Sequence, residues 1–81
     1  MKRQLTAAAA KDYAEAPASV QKAFDKQVKL LVENFRHPSL RTKKYDESRN
    51  IWQARVNRDW RFYFLITGDT LLILNIIPHP K

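Results

Sequence analysis

Three arginines fall within seven positions in "QARVNRDWRFYF", residues 53–64. A guanidinium is a planar fork of donors that grips phosphate oxygens with paired hydrogen bonds. Arg55 and Arg61 flank a short polar stretch that carries Arg58. Two like charges facing each other across a sheet destabilise it unless an anion sits between them. Tyr63, two residues on from Arg61, offers a ring on which a base can stack. The two histidines, His37 and His79, each precede a proline. An imidazole titrates near neutrality and can move protons. His79, just beyond the final apolar run, is the better acid or base candidate. The plainer reading lays these arginines on a solvated face, paired with Asp46, Glu47 or Asp59, and leaves His79 exposed.

The elements that must position these residues can be read from periodicity. "KRQL" suits a short opening strand. Thr6 suits an N-cap for a helix from Ala7 to about Ala16. Pro17 stops that helix and sits well at the start of the next. From Ala18 to Phe35 apolar residues recur at Val20, Ala23, Phe24, Val28, Leu31, Val32 and Phe35, one face at helical period. "HPSLR" breaks the pattern at Pro38. The second half then alternates. Trp52, Ala54 and Val56 point one way in "IWQARV", and Trp60, Phe62, Phe64 and Ile66 do so in "WRFYFLI". "TLLILNII" is continuously apolar, as for a strand inside a sheet, and a shorter strand suits Thr42 to Asp46. The expected fold class is α+β: one domain over residues 1–81, an N-terminal helical hairpin packed on an antiparallel sheet of about four strands.

Directly opposed residues of an antiparallel pair share a face. A three-residue turn at Asn57-Arg58-Asp59 therefore sets Ala54 opposite Phe62 and Trp52 opposite Phe64. The same register sets Arg55 opposite Arg61 and Gln53 opposite Tyr63. A second three-residue turn, Thr67-Gly68-Asp69, would set Asn75 beside Arg61 and Ile73 beside Tyr63. One face then takes the helices, and the other presents Arg55, Arg61 and Asn75 with Gln53 and Tyr63. Lys43 and Lys44 are further candidates for RNA contact, or mere protection of a sheet edge.

Composition narrows the partners. Fifteen Lys and Arg against eight Asp and Glu give a net charge of +7. Residues 35–61 contribute +5 of it, from eight basic and three acidic side chains. A basic segment at the centre of a domain is the footprint of an anionic partner, most often nucleic acid. There is no cysteine and one glycine, which excludes disulfides, thiolate metal sites and glycine-rich nucleotide loops. No cofactor or metal is expected. No apolar run approaches the ~20 residues of a membrane span, and charges interrupt the N-terminal alanines too early for a signal peptide, so a cytoplasmic location is expected.

The order of elements and "HPSLRTKKYDESRNIWQARVNRDWRFYF" resemble the RelE/ParE superfamily of bacterial toxins, over most of the chain. The resemblance implies a toxin neutralised by a cognate antitoxin. Its nuclease members cut mRNA on the ribosome by promoting attack of a ribose 2′-hydroxyl on the adjacent phosphate. ParE-type members instead inhibit DNA gyrase. Two alternate basic positions before the family's turn fall on Gln53 and Arg55, so one is kept. The arginine after it matches Arg61. The basic residue beyond the final strand falls on or near Lys81, next to His79, and the C-terminal tyrosine has no counterpart. The expected function is a ribosome-dependent mRNA endoribonuclease. Arg55, Arg61, His79 and Lys81 would be catalytic, and Lys43, Lys44, Gln53, Tyr63 and Asn75 would bind RNA. The alternative is a gyrase inhibitor, or a catalytically impaired homologue that only binds its antitoxin.

Overall fold

A computed structural model describes residues 1–79. Thr6 caps the first helix as its sequence demands: its Oγ1 accepts from the Ala9 N–H at 3.1 Å, and α1 runs Ala7–Glu15. Pro17 becomes the N-cap of α2, Ala18–Glu33. The apolar stripe of α2 buries Val20, Phe24, Val28 and Leu31, with Ala23, Val32 and Phe35 packed at its margins. Gln27 lies on the same face and is also buried. A 3-10 turn at Pro38–Leu40 follows, capped by the His37 imidazole.

Among the described residues the sheet has five strands where about four were expected: β1 Lys2–Leu5, β2 Lys43–Asp46, β3 Ile51–Arg55, β4 Trp60–Thr67 and β5 Thr70–Pro78. Their order is β1-β5-β4-β3-β2, and β1 joins β5 in parallel while the other pairs are antiparallel. Phe62 and Phe64 of β4 are fully buried against the helices. Phe24 meets Phe62 edge-on at 5.2 Å, and Phe35 meets Trp52 likewise at 5.1 Å. A buried aromatic of this kind contributes about 1.5–3 kcal/mol. Both helices cover this face, which leaves the other face of the sheet open.

The β3–β4 hairpin has the expected register, with Arg55 opposite Arg61 and Gln53 opposite Tyr63. Asn57 makes the turn: its Oδ1 accepts from the N–H groups of Asp59 at 2.9 Å and Trp60 at 3.0 Å, the side-chain mimicry that suits asparagine to turns. The β4–β5 register differs from expectation. Thr67 pairs with Thr70, so the loop has two residues, and Gly68 at φ +59° supplies the positive first position of a type II′ turn. A bulge then inserts one residue of β5 between Phe64↔Ile73 and Tyr63↔Asn75. Ile73, expected beside Tyr63, is therefore buried on the helix face opposite Phe64. Asn75 sits opposite Tyr63, and Ile77 takes the place opposite Arg61.

The bulge is held from the N-terminal side of the fold. Thr6 N–H donates to the Ile73 carbonyl at 3.0 Å, and Thr6 Oγ1 donates to the Leu74 carbonyl at 2.9 Å. Asp12 Oδ2 accepts from Ile76 N–H at 3.0 Å. Backbone groups of β5 at and beyond the end of β1 thus find partners on Thr6 and on Asp12 of α1, as buried polar groups must.

Candidate nucleic-acid interface

Residues on the open face of the sheet include two rows set by the strand registers. The first holds Arg55, Arg61 and Ile77, and the second Lys43, Gln53, Tyr63 and Asn75. Arg55 is placed by its own backbone: its carbonyl accepts from Gln27 Nε2 at 2.8 Å. The same amide donates to the Ser39 carbonyl at 3.2 Å. One buried glutamine therefore ties α2, the 3-10 turn and the end of β3 together. Arg61 folds toward the turn, where its Nη1 donates to the carbonyls of Asn57 at 2.7 Å and Trp60 at 2.9 Å. Burial, then Arg55, then Arg41 push the Arg61 guanidinium below its usual value, with Tyr63 and Asp59 opposing. Two arginines thus face each other at one end of the open face. Asp46 does not neutralise them, because it pairs with Arg49 at 2.9 Å. The arrangement suits an anion with several acceptor oxygens, such as a phosphodiester.

The second row is built differently. Gln53 is 7% exposed, and its Nε2 donates to Tyr63 Oη at 2.8 Å. Tyr45 meets the Tyr63 ring edge-on at 4.7 Å. Beside them lies a cavity of about 200 Å³ that Arg49, Ile51 and Asn75 also line. The backbone N–H of His79 donates to the Asp59 carbonyl at 2.7 Å, which brings the exposed His79 to the β3–β4 turn and the cationic corner.

No family model and no curated protein matches the chain at the level of sequence. Solved structures do. A YoeB/ParE toxin from Agrobacterium tumefaciens superposes with a TM-score of 0.83 at 15% identity, over 99% of this chain and 100% of that one. The YoeB of a dimer from Staphylococcus aureus gives 0.82 at 14%, over 99% and 98%. An archaeal RelE–RelB complex from Pyrococcus horikoshii gives 0.80 at 15%, over 99% and 96%. The fold is that of the RelE/ParE toxins.

On this RelE/ParE fold, Arg55, Arg61, Gln53, Tyr63, Asn75 and Lys43 share the open face, with His79 at its turn end. Asn75 neighbours Tyr63 rather than Arg61. Lys44 does not join them: it pairs with Trp52 across the β2–β3 ladder, and its Nζ lies 4.3 Å from the Trp52 ring centroid, on the helix side. Lys81 lies outside the described residues. His37 has a local task, since its Nδ1 accepts from Ser39 N–H at 3.2 Å. Among the described residues no cluster of His, Asp and Glu could hold a metal, and no helix is long and apolar enough to cross a membrane. Sequence reasoning missed Arg41, Tyr45 and Gln27. Alternation along "KKYD" could have put Tyr45 on the face of Lys43. Gln27 stood on the apolar stripe of α2 as its one polar member. Arg41 had no periodic signal, because it adopts a left-handed conformation at φ +47° between the 3-10 turn and β2.

Proposed function

We propose that this chain is the toxin of a toxin–antitoxin pair and that it cleaves mRNA on the ribosome. The observation that carries the reading is the pairing of Arg55 with Arg61 across an open sheet face. In the reaction a ribose 2′-hydroxyl attacks the adjacent phosphorus. A 2′-O–P bond forms, the bond to the 5′-oxygen of the next nucleotide breaks, and a 2′,3′-cyclic phosphate and a free 5′-hydroxyl result. Arg55 and Arg61 stabilise the charge that builds on the phosphoryl oxygens, with Lys81 assisting. One such donor is worth about 10²–10³ in rate. His79 takes the proton of the 2′-hydroxyl or returns one to the leaving oxygen. Lys43 and Tyr63 extend the contact along the strand of RNA, and Gln53 acts by holding Tyr63. The partner is a cognate antitoxin. Solved structures of the same fold include a RelE–RelB complex from P. horikoshii and the DinJ–YafQ toxin–antitoxin complex of E. coli.

In vitro translation with purified protein, followed by primer extension, tests the reading. Wild type should cut within codons, and Arg55→Ala and Arg61→Ala should each reduce cutting at least a hundredfold. Uncut transcripts with wild type would sink the proposal. A second reading, inhibition of DNA gyrase, draws on Gln53. A neutral, nearly buried amide engaged by Tyr63 stands where the nuclease pattern has a cation. Loss of gyrase supercoiling without RNA cleavage would decide for it.

A further inference from the structure

We propose that His37 is a positioning residue for Arg55, and that through it the grip of the arginine row on RNA weakens as pH falls below neutrality. The inference rests on the reading that Arg55 and Arg61 hold RNA. His37 lies between α2 and the 3-10 turn Pro38–Leu40. Its N–H donates to the Asn34 carbonyl at 3.0 Å, and its carbonyl accepts from Leu40 N–H at 3.1 Å. Leu40 is fully buried, so the turn is seated in the core. The imidazole adds a further bond, from Ser39 N–H to Nδ1 at 3.2 Å, and Ser39 Oγ stands 2.9 Å from the same nitrogen. Ser39 is thus held at its N–H by His37 and at its carbonyl by Gln27 Nε2, at 3.2 Å. The same Gln27 amide holds the Arg55 carbonyl at 2.8 Å. Ser39 and Gln27 therefore connect the His37 ring to the strand end that carries Arg55.

The connection depends on the charge of the ring. A backbone N–H can only donate, so the nitrogen that faces Ser39 is the unprotonated one of a neutral imidazole. In the imidazolium both nitrogens donate. The Ser39 hydroxyl can rotate to accept, but the Ser39 N–H cannot, and two N–H groups would then face each other. The ring must turn away. It has the space, because it lines a cavity of about 260 Å³. Imidazole changes charge between about pH 5 and 8, so the cap is present above that range and is lost as pH falls through it. The charged groups around the ring are cations. The segment after α2 brings Arg36 to the cavity, and the segment after the turn brings Arg41. β3 brings Trp52, and β2 sets the Lys44 ammonium 4.3 Å from the Trp52 ring centroid. Among the described residues no carboxylate lines the cavity, so no opposite charge draws the imidazolium back to the turn.

The test uses the full chain labelled with ¹⁵N, carrying His79→Gln so that His37 is the one histidine. Two signals report on the connection: the Gln27 side-chain amide, and the Val56 N–H, which shares a peptide group with the Arg55 carbonyl. Both should shift with pH along the titration curve of the His37 ring protons. The RNA probe is a 2′-O-methyl trinucleotide of U, which lacks the attacking hydroxyl and stays uncut. Its affinity should fall about two- to fivefold between about pH 7.5 and about pH 5.5, the scale of one lost cap. Asparagine caps without titrating, so His37→Asn should keep the affinity of the higher pH and flatten both profiles. His37→Ser serves if the asparagine variant does not fold. His37→Ala should bind as weakly at the higher pH as its parent does at the lower. Gln27 and Val56 signals that ignore the His37 titration would overturn the coupling and leave RNA binding standing. So would a pH profile of affinity that His37→Asn leaves unchanged. No binding at either pH would overturn the reading of the face, and this inference with it.

Discussion

Gln27 is the residue through which the helical layer sets the position of Arg55, and replacing it with leucine isolates that role. Leucine keeps the bulk of the side chain on a buried stripe and removes the amide. Two hydrogen bonds are lost, to Arg55 O at 2.8 Å and Ser39 O at 3.2 Å. Each contributes about 0.5–1.5 kcal/mol net. Both carbonyls are only partly buried, so water recovers some of the loss, and about 2 kcal/mol is the expected cost. For a domain of this size that lowers Tm by roughly 8–16 °C, at about 4–8 °C per kcal/mol. It is a large part of the ~4–12 kcal/mol total that ~0.05–0.15 kcal/mol per residue implies. Urea denaturation followed by tryptophan fluorescence measures it: the midpoint should fall and the slope should not. The loosened end of β3 should also weaken binding of a trinucleotide at a temperature where the variant is fully folded. A midpoint equal to that of wild type would refute the account of Gln27 as a strut. Lost stability with unchanged binding would refute its link to Arg55.

Other expectations follow from the same geometry. Thr6→Val removes the N-cap and the bond to the Leu74 carbonyl together, and should cost about 1–2 kcal/mol in chemical denaturation, with the largest amide-exchange changes at Leu74 to Ile76. Arg55→Ala should flatten the salt dependence of single-strand binding by about 0.7 in the slope of log K against log salt, the share of one phosphate contact; an unchanged slope would remove Arg55 from the interface. The Ser48 hydroxyl, the Arg49 N–H and the Arg49 side chain hold the Asp46 carboxyl below its ordinary value. A depressed folded value contributes stability above the unfolded pKa, near 3.9, and loses it as pH falls through the folded one. The Asp46 side-chain ¹³C signal should accordingly titrate below that of a free aspartate, and Ser48→Ala should move it up.

The helical hairpin and the β3–β4 register were legible because each carries one clean period and a stop signal of known geometry. Val20 to Leu31 repeat at helical spacing, and Asn57 nucleates a turn that sets Arg55 against Arg61. β5 was not legible in the same way. An unbroken apolar run has no alternation, so nothing in "TLLILNII" distinguished a three-residue turn from a two-residue turn followed by a bulge. The burial of Leu71, Ile73 and Ile76, spaced by two and then three, records the bulge. β1 gave only a weak signal because all four of its residues are exposed and its pairing is parallel to a strand more than sixty residues away. The cationic corner was legible in its two strand-borne arginines. Arg41 lies in a loop, where no period reports on direction.

The stitching of β5 to Thr6 and Asp12 has a consequence for timing. These bonds span 68 and 64 residues of sequence, whereas the helical hairpin is held by local contacts. Loop closure on that scale must be met before such contacts return anything, which makes them late events in folding. The hairpin and the β3–β4 ribbon can assemble from neighbouring segments alone. The bulge, and with it the position of Asn75, requires β5 to be docked between β4 and the N-terminal segment. A chain still lacking β5 would carry the arginines but not the surface they belong to, so completion of the site and closure of the fold are one event.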